Sequence, residues 1–575
     1  MLKEFVSDIN FLYKDIVNGN KQSLSKFKEK WNVKKSIGEI YQNLCKKESK
    51  KNTGRFYTPV EIVDFMVSDA ISKINYKQNI YIKILDPCCG GGYFLICIYE
   101  KLIEMAKELK LENPEQHIIN NNIFGFDTDN TAVLITKIEL YERSGVLSDN
   151  ILEKDFLLSE NTGFDIIIGN PPYMGHKVLS EDYRRKLSSK YDDVFRDKGD
   201  ISYCFIKKSV NSLYEGGILQ FFTSRYMLEA LNGKGIRNFL SKNFIDKIID
   251  FYGVRVIKGV GIDNIILTVI KQKPSNSINY YKLNISAKDK GSKVFEDIKL
   301  GENKYVSCLN VKSDSLKDDG WIFLSTIEEN VLNKIKGVEL NILCDSFQGV
   351  ITGCDSAFVM DNNTADELLI EKGILKPWIK NKDIKPFYIE PSSDVLIYTN
   401  DLLNIENYKN ALKHIENFKE KLKLRRECKK GLRKWYEIQW GRDKRLFENK
   451  KIVYPFKASS NRFALDEGSY FSADVYGIRI KDMFQGMISY EYLLGILNSR
   501  IYEFYIKSMA KKLGDNLYEY YPNKVMKLKI PNLIKEVEDE VINKKDNFKD
   551  NIDNILKDYF KITDEEYEAI KKWCN

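Results

Sequence analysis

The sequence predicts a mostly parallel, doubly wound α/β sheet followed by a separate α+β domain. Three observations lead there. Strand-like and helix-like periodicities alternate from Pro59 to about residue 275. Three successive glycines, Gly90-Gly91-Gly92, fall where an apolar strand gives way to a helix. Past Lys273-Pro274-Ser275-Asn276-Ser277 the alternation stops, and short β-like runs, loops and later helices replace it.

In chain order, residues 1–50 read as a charged helical segment, with Phe11, Leu12 and Ile16 near helical spacing. Residues 51–275 form the expected α/β domain. It opens with a helix at 60–71, a strand at 81–85 and a helix at 93–107. A strand at 123–127, a helix at 130–144 and short strands at 151–154 and 164–169 follow. A helix near 201–214, a strand at 217–223, a helix around 235–242 and strands at 245–251 and 264–271 close it. Residues 276–330 are expected to connect this domain to a second one at 331–575, with helices over 405–428 and 490–510. There is no internal repeat.

A chain of 575 residues exceeds one ordinary domain, and 43% hydrophobic content is that of a globular protein. No window is apolar enough to span a bilayer, and the start, Met1-Leu2-Lys3-Glu4-Phe5-Val6-Ser7-Asp8, lacks a secretory apolar core. A soluble, cytoplasmic protein with no membrane partner is expected. The ten cysteines include no C-x-x-C pair, and the three histidines (His117, His176, His414) lie far apart, so reduced thiols and no metal site are expected. A net charge of +8 is mild, but its distribution is not even. Between Lys421 and Arg462 fifteen Lys/Arg face four acids, a concentration suited to a phosphate backbone. A solvated basic helix with core aromatics is the alternative for any single residue in that stretch.

Three strings carry the chemistry. In Leu85-Asp86-Pro87-Cys88-Cys89-Gly90-Gly91-Gly92-Tyr93-Phe94 the glycines let a ligand approach backbone N–H groups at a helix start. A tight turn of some other α/β protein would look the same. In Gly125-Phe126-Asp127-Thr128-Asp129 the carboxylate at the strand end can accept from two ribose hydroxyls, although a helix-capping Asp is the equal alternative. Its distance from the glycine loop exceeds the dinucleotide spacing and argues against a nicotinamide cofactor. The third string, Asp165-Ile166-Ile167-Ile168-Gly169-Asn170-Pro171-Pro172-Tyr173, delivers an amide, two prolines and a ring to the ligand-binding edge of the sheet. His176 nearby is either a DNA contact or a structural loop residue.

The order of Thr53-Gly54-Arg55-Phe56-Tyr57-Thr58-Pro59, Asp86–Gly92, Asp127, Asp155-Phe156 and Asn170–Tyr173 resembles the gamma-arranged N6-adenine DNA methyltransferases. That group includes the TaqI-like enzymes, the methyltransferase halves of type IIG restriction enzymes and orphan adenine methyltransferases. Residues 347–358, Leu497-Asn498-Ser499 and Tyr520-Tyr521-Pro522-Asn523-Lys524 resemble segments of a TaqI-like target-recognition domain. The resemblance implies a Rossmann-like class I methyltransferase domain that uses S-adenosylmethionine. Tyr57, Thr58, Pro59 and the loop Asp86, Pro87, Cys88, Gly90 and Gly92 would hold its methionine end. Asp127 would hold the ribose, and Asp155 and Phe156 the adenine, with Asn170 alongside. Asn170, Pro171, Pro172 and Tyr173 would handle the target base. Cys88-Cys89 departs from the family's more frequent Ala-Cys, and both thiols are expected to pack rather than react.

Acceptors at both amino hydrogens, the Asn170 amide oxygen and the Pro171 carbonyl, would favour attack by a weakly nucleophilic adenine nitrogen. The target base would have to leave the duplex and stack, with Tyr173 as the expected face. Duplex DNA is thus the expected partner, bound by a monomer. The expected contacts are Lys423, Arg425, Arg426, Lys429, Lys430, Arg433, Lys434, Trp435, Tyr436, Arg442, Lys457, Tyr521, Asn523 and Lys524. About fifty residues precede Thr58-Pro59, so no fused nuclease is expected, although one on another chain is compatible. A protein-glutamine or RNA methyltransferase, or a non-catalytic DNA-binding relative, are the competing readings.

Overall fold

The computed structural model describes residues 1–48, 58–160, 162–176, 178–196, 199–256, 262–316, 320–400, 402, 404–514, 516–532, 534–543 and 547–574. The chain divides into two compact units, Met1–Phe323 and Leu324–Asn575.

The first unit is built on a nine-stranded sheet. Its strands are β1 (Ile84–Asp86), β2 (Ile123–Asp127), β3 (Ile151–Glu153), β4 (Phe164–Gly169), β5 (Leu213–Ser224), β6 (Phe244–Asp250), β7 (Asn264–Ile270), β8 (Ser277–Leu283) and β9 (Val306–Lys312). Their order is β3-β2-β1-β4-β5-β7-β6-β8-β9, and β3, β2, β1, β4 and β5 run parallel. β7 is antiparallel to both β5 and β6. The central strands β4 and β7 read as near-continuous apolar runs because helices cover both faces of the sheet. Alternate residues enter different cores: Ile84, Ile166 and Ile168 join one, Leu85 and Ile167 the other.

The segment expected to connect two domains, 276–330, mostly belongs to the first unit and adds the last two strands of this sheet. β8 pairs parallel with β6, and β9 pairs antiparallel with β8. The unit therefore ends at Phe323, some fifty residues past the expected boundary at 275. Ser275 and Ser277 read as linker chemistry, yet the Ser275 carbonyl accepts from Ser313 Oγ at 2.7 Å and joins the strand edge.

The amino-terminal segment belongs to the same unit. Its helices are α1 (Leu2–Val17), α2 (Gln22–Lys30) and α3 (Ile37–Glu48). Phe5, Ile9, Leu12 and Ile16 lie on one face of α1 at helical spacing and are buried, whereas Phe11 is exposed. They pack with Phe27, Ile37 and Leu44 onto Leu134, Ile135 and Ile138 of the helix Asn130–Ser144, which follows β2. After the undescribed residues 49–57 come α4 (Val60–Ser72) and, beyond β1, α5 (Tyr93–Glu108).

The second unit holds two four-stranded sheets and smaller ones. One sheet pairs Cys344–Gln348, Val475–Ile480, Lys451–Pro455 and Ala464–Asp466 in antiparallel order. The expected helix over 405–428 is broken into Lys409–Glu416, Lys419–Lys423 and Arg426–Lys429. That over 490–510 is divided at Ser499, whose hydroxyl oxygen accepts the Tyr502 N–H at 3.2 Å and caps a new helix, Arg500–Met509.

Candidate active site

The carboxyl ends of β1 to β4 border a cavity of about 710 Å³. Pro87, Cys88, Gly90 and Gly91 follow β1, Asp127, Thr128 and Asp129 end β2, residues 154–156 follow β3, and Asn170 and Pro172 follow β4. A ligand site belongs at this edge of an open parallel sheet.

The loop after β1 is held open by its glycines. Gly90 and Gly92 have φ of +53° and +84°, a region that side chains with a Cβ disfavour. At Gly92 a Cβ would also meet the Thr136 side chain at 3.0 Å. The Thr136 hydroxyl donates to the Gly90 carbonyl at 2.9 Å, which fixes the turn. The Gly90 N–H in turn donates to Asp127 Oδ2 at 2.9 Å, and the Asp129 N–H donates to Asp127 Oδ1 at the same distance. Both oxygens of the candidate ribose carboxylate are thereby oriented by backbone.

Asp86 lies behind the loop, 1% exposed, its Oδ1 accepting the Cys88 N–H at 3.1 Å. Burial pushes its pKa up to about 7, the Asp127 charge adds to the rise, and the Cys88 N–H opposes it. Gly169 of β4 makes space for it, because a Cβ there would sit 2.6 Å from Asp86 Oδ1. Burial, with Asp86 and Asp127 nearby, pushes the Cys88 and Cys89 thiols well up, so both are neutral and not thiolate nucleophiles.

After β3, Asp155 Oδ1 accepts the N–H groups of Leu157 (2.9 Å) and Leu158 (3.2 Å). Phe156 is 1% exposed and stacks near Phe205, ring centroids 6.0 Å apart, to give the cavity an apolar end.

At the tip of β4, Asn170 Nδ2 donates to Thr58 Oγ1 at 2.9 Å. Its side-chain oxygen accepts from the Tyr173 hydroxyl, which also faces the Phe222 carbonyl at 3.1 Å. The amide is thus clamped from both ends. Tyr173, expected to offer a stacking face, has its ring 6% exposed and does not line the cavity. Burial pushes its phenol well above the ordinary value, so it remains a donor.

Of the expected cofactor residues, Pro87, Cys88, Gly90, Asp127, Asp155, Phe156 and Asn170 line the cavity. Thr58, Asp86 and Gly92 support it from behind, and Pro59 caps α4. Tyr57 lies outside the described residues. Pro172 lines the cavity and buried Pro171 does not. Sequence reasoning missed a wall made by Leu2 of α1 and Tyr41, Gln42, Cys45 and Lys46 of α3. Only the i, i+4 placement of Tyr41 and Cys45 hinted at a shared face. Among the described residues, no group of three or more His, Cys, Asp or Glu is placed to hold a metal ion. No helix there is long and apolar enough to cross a membrane.

In the second unit the basic stretch divides sharply. Lys423, Arg426, Lys429, Lys430, Lys434, Arg442 and Lys457 are exposed, as are Tyr521 and Asn523, while Arg433 and Lys524 are half-buried. Arg425 corrects the expectation of a DNA contact. It is 9% exposed and donates to the carbonyls of Leu422 (3.0 Å), Thr352 (2.9 Å), Trp435 (2.9 Å) and Glu437 (2.8 Å). It pins loops together instead. Lys451, in the same run, is buried in an ion pair with Asp466. Trp435 and Tyr436 are half-buried against the core, edge to face at 5.6 Å, with Lys419 over the indole at 4.7 Å.

Comparison with known proteins finds one family match within each unit. Residues 121–257 match the family described as Eco57I restriction-modification methylase, and residues 376–530 the TaqI-like C-terminal specificity domain. Fold and matches together define a methyltransferase with a Rossmann-like domain followed by a specificity domain. The chain is similar to the Type II methyltransferase M.BanIII of Aneurinibacillus aneurinilyticus, 25% identical over 86% of this chain and 92% of that one. It is likewise similar to M.HincII of Haemophilus influenzae, 27% identical over 82% and 88%. Among solved structures it shares the fold of the Type IIL restriction-modification enzyme MmeI, with a TM-score of 0.65, 12% identity and coverage of 94% and 82%.

Proposed function

We propose that this chain is a cytoplasmic, site-specific DNA N6-adenine methyltransferase that uses S-adenosylmethionine and acts as a monomer on duplex DNA. The observation that carries this reading is Asn170. A strand tip places its amide, clamped by Thr58 and Tyr173, in the same cavity as Asp127 and the glycine loop.

The donor set fits that cofactor. Asp127, Asp129 and Asp155 put carboxylates around the cavity, suited to a cationic ligand with ribose hydroxyls, and Phe156 and Phe205 give a flat apolar end for a purine. S-adenosylmethionine, when bound, supplies an already activated methyl group. The chain orients the acceptor. Asn170 Oδ1 accepts from one amino hydrogen of an extruded adenine, which stabilises positive charge developing on the nitrogen. The Tyr173 hydroxyl keeps that oxygen aimed, while Thr58 holds the opposite end of the amide. No general base is needed before methyl transfer, because the developing ammonium can lose its proton afterwards. In the second unit, exposed cations such as Lys429 and Lys430 hold phosphates. A separate nuclease partner is compatible with this reading, given the match to a family described as restriction-modification methylase.

Purified chain, labelled S-adenosylmethionine and three acceptors (duplex DNA, RNA, protein) test the proposal. Label entering duplex DNA alone is expected; label in RNA or protein but not DNA would overturn it.

A further inference from the structure

The amino-terminal helices are more than a flank to the methyltransferase sheet. Within the first unit α3 lies directly against the glycine loop. Gly38 and Gly91 meet backbone to backbone: a Cβ built on Gly38 would be 3.0 Å from Gly91 Cα, and one built on Gly91 would be 2.9 Å from Gly38 Cα. Neither neighbour is the end of a flexible side chain, so neither position can grow without moving the loop or the helix.

Three further ties fix this contact. The Ile37 N–H donates to Glu139 Oε1 at 2.6 Å, on a carboxylate that is 1% exposed. Ser36 Oγ and the Tyr93 hydroxyl are 2.8 Å apart, which joins the residue before α3 to the first residue of α5. One turn further along α3, the Tyr41 hydroxyl donates to Asp129 Oδ2 at 2.8 Å. Asp129 stands two residues past Asp127, whose oxygens are already held by Gly90 and Asp129 N–H groups. Tyr41, Gln42 and Cys45 then face the same 710 Å³ cavity.

We propose that α3 is a built-in wall of the cofactor cavity, in which Gly38 seats the glycine loop and Tyr41 and Gln42 enclose the ribose end of S-adenosylmethionine. This rests on the cofactor assignment above. Tyr41 orients Asp129 and presents its ring, and Gln42 adds an amide that can both donate to and accept from ribose hydroxyls. The helical segment slows escape of the cofactor. It is a positioning element and touches no reacting atom.

The test uses the full chain and S-adenosylhomocysteine as the probe, with calorimetry for affinity and stopped-flow fluorescence for dissociation. Tyr41→Phe keeps the ring but loses the bond to Asp129, and is expected to weaken binding about three- to tenfold, chiefly through faster dissociation. Gln42→Ala should act similarly, and Gly38→Val more strongly. Because Gly38→Val could disturb folding, hydrogen exchange on the unmodified chain supplies an independent readout. Amides of residues 38–46 should exchange more slowly once the probe is bound. Unchanged affinity and dissociation in Tyr41→Phe and Gln42→Ala, with unchanged exchange in α3, would overturn the inference. Failure of the unmodified chain to bind the probe would instead overturn the cofactor assignment.

Discussion

The two units treat a charged or polar sequence motif in opposite ways. In the first, Asp86, Asp127 and Asn170 are expected at or just past strand ends, Asp155 is expected from the family resemblance, and the sheet gathers all four at one edge. Strand ends are fixed by a repeating backbone pattern, so a residue's place in the sequence forecasts its place in space. In the second, Lys and Arg were singled out by density alone, and density does not say which side chains face outward. Arg425 is buried while Arg426, Lys429 and Lys430, a few residues on, are exposed, and Lys451 of the same basic stretch is buried. A motif tied to a repeating element carries position; a composition carries only an average.

The largest effect that would sharpen this contrast is expected at Asn170. Asn170→Ala should lower the methylation rate on the order of 100- to 1000-fold, the loss seen when one oriented hydrogen-bonding group is removed from a transition state. Cofactor affinity by calorimetry should hardly move. Equal losses of both would reduce Asn170 to a cofactor ligand.

Arg425 comes next. Arg425→Ala takes the donor from the carbonyls of Trp435 and Glu437 and one of two donors from that of Thr352, and is expected to cost about 3 kcal/mol of stability. That corresponds to a drop in melting temperature of about 6–12 °C for the second unit's transition. Lys429→Ala and Lys430→Ala should leave melting unchanged and instead reduce the salt dependence of DNA binding by about one unit of slope each. Should Arg425→Ala melt normally and lose only DNA affinity, the distinction between buried and exposed cations fails.

A smaller effect separates two roles for Tyr173. Tyr173→Phe keeps a ring for stacking but loses the hydroxyl that holds Asn170. The rate should fall about tenfold with little change in cofactor affinity, in line with one hydrogen bond. An unchanged rate would show that the Tyr173 hydroxyl does not position Asn170.

The smallest concerns Asp86, whose pKa burial raises to about 7. The free site holds its proton below that value and loses it above. A cationic cofactor favours the carboxylate, so its binding should release part of a proton near pH 6 and almost none near pH 8. Calorimetry in two buffers of different ionisation heat measures this, and Asp86→Asn should abolish it. Release that persists in Asp86→Asn would assign the proton to another group.

Much of the first unit was legible. The strands at β2, β4 and β7 and the helix Asn130–Ser144 follow from apolar runs bounded by polar caps, and Asp129 does cap that helix through the Thr131 N–H. What escaped was long-range. β8 and β9 are short alternating strands after a Ser/Pro/Asn stretch, and nothing local distinguishes them from a linker. The Gly38–Gly91 contact joins residues 53 positions apart in the chain. In the second unit, apolar periodicity through 490–510 predicted one helix because Ser499 reads as an ordinary helical residue until its hydroxyl is seen to cap the next turn. Arg425 is hidden for the same reason, since the Thr352 carbonyl that holds it lies 73 residues upstream.

Nucleoside mass spectrometry of duplex DNA, after incubation with the purified chain and S-adenosylmethionine, tests the central claim most directly. The proposed role of Asn170 predicts N6-methyladenine as the modified base, and its absence from DNA treated with Asn170→Ala. Methyl groups found only on cytosine, or no methylated base at all from a chain that binds the cofactor, would contradict it.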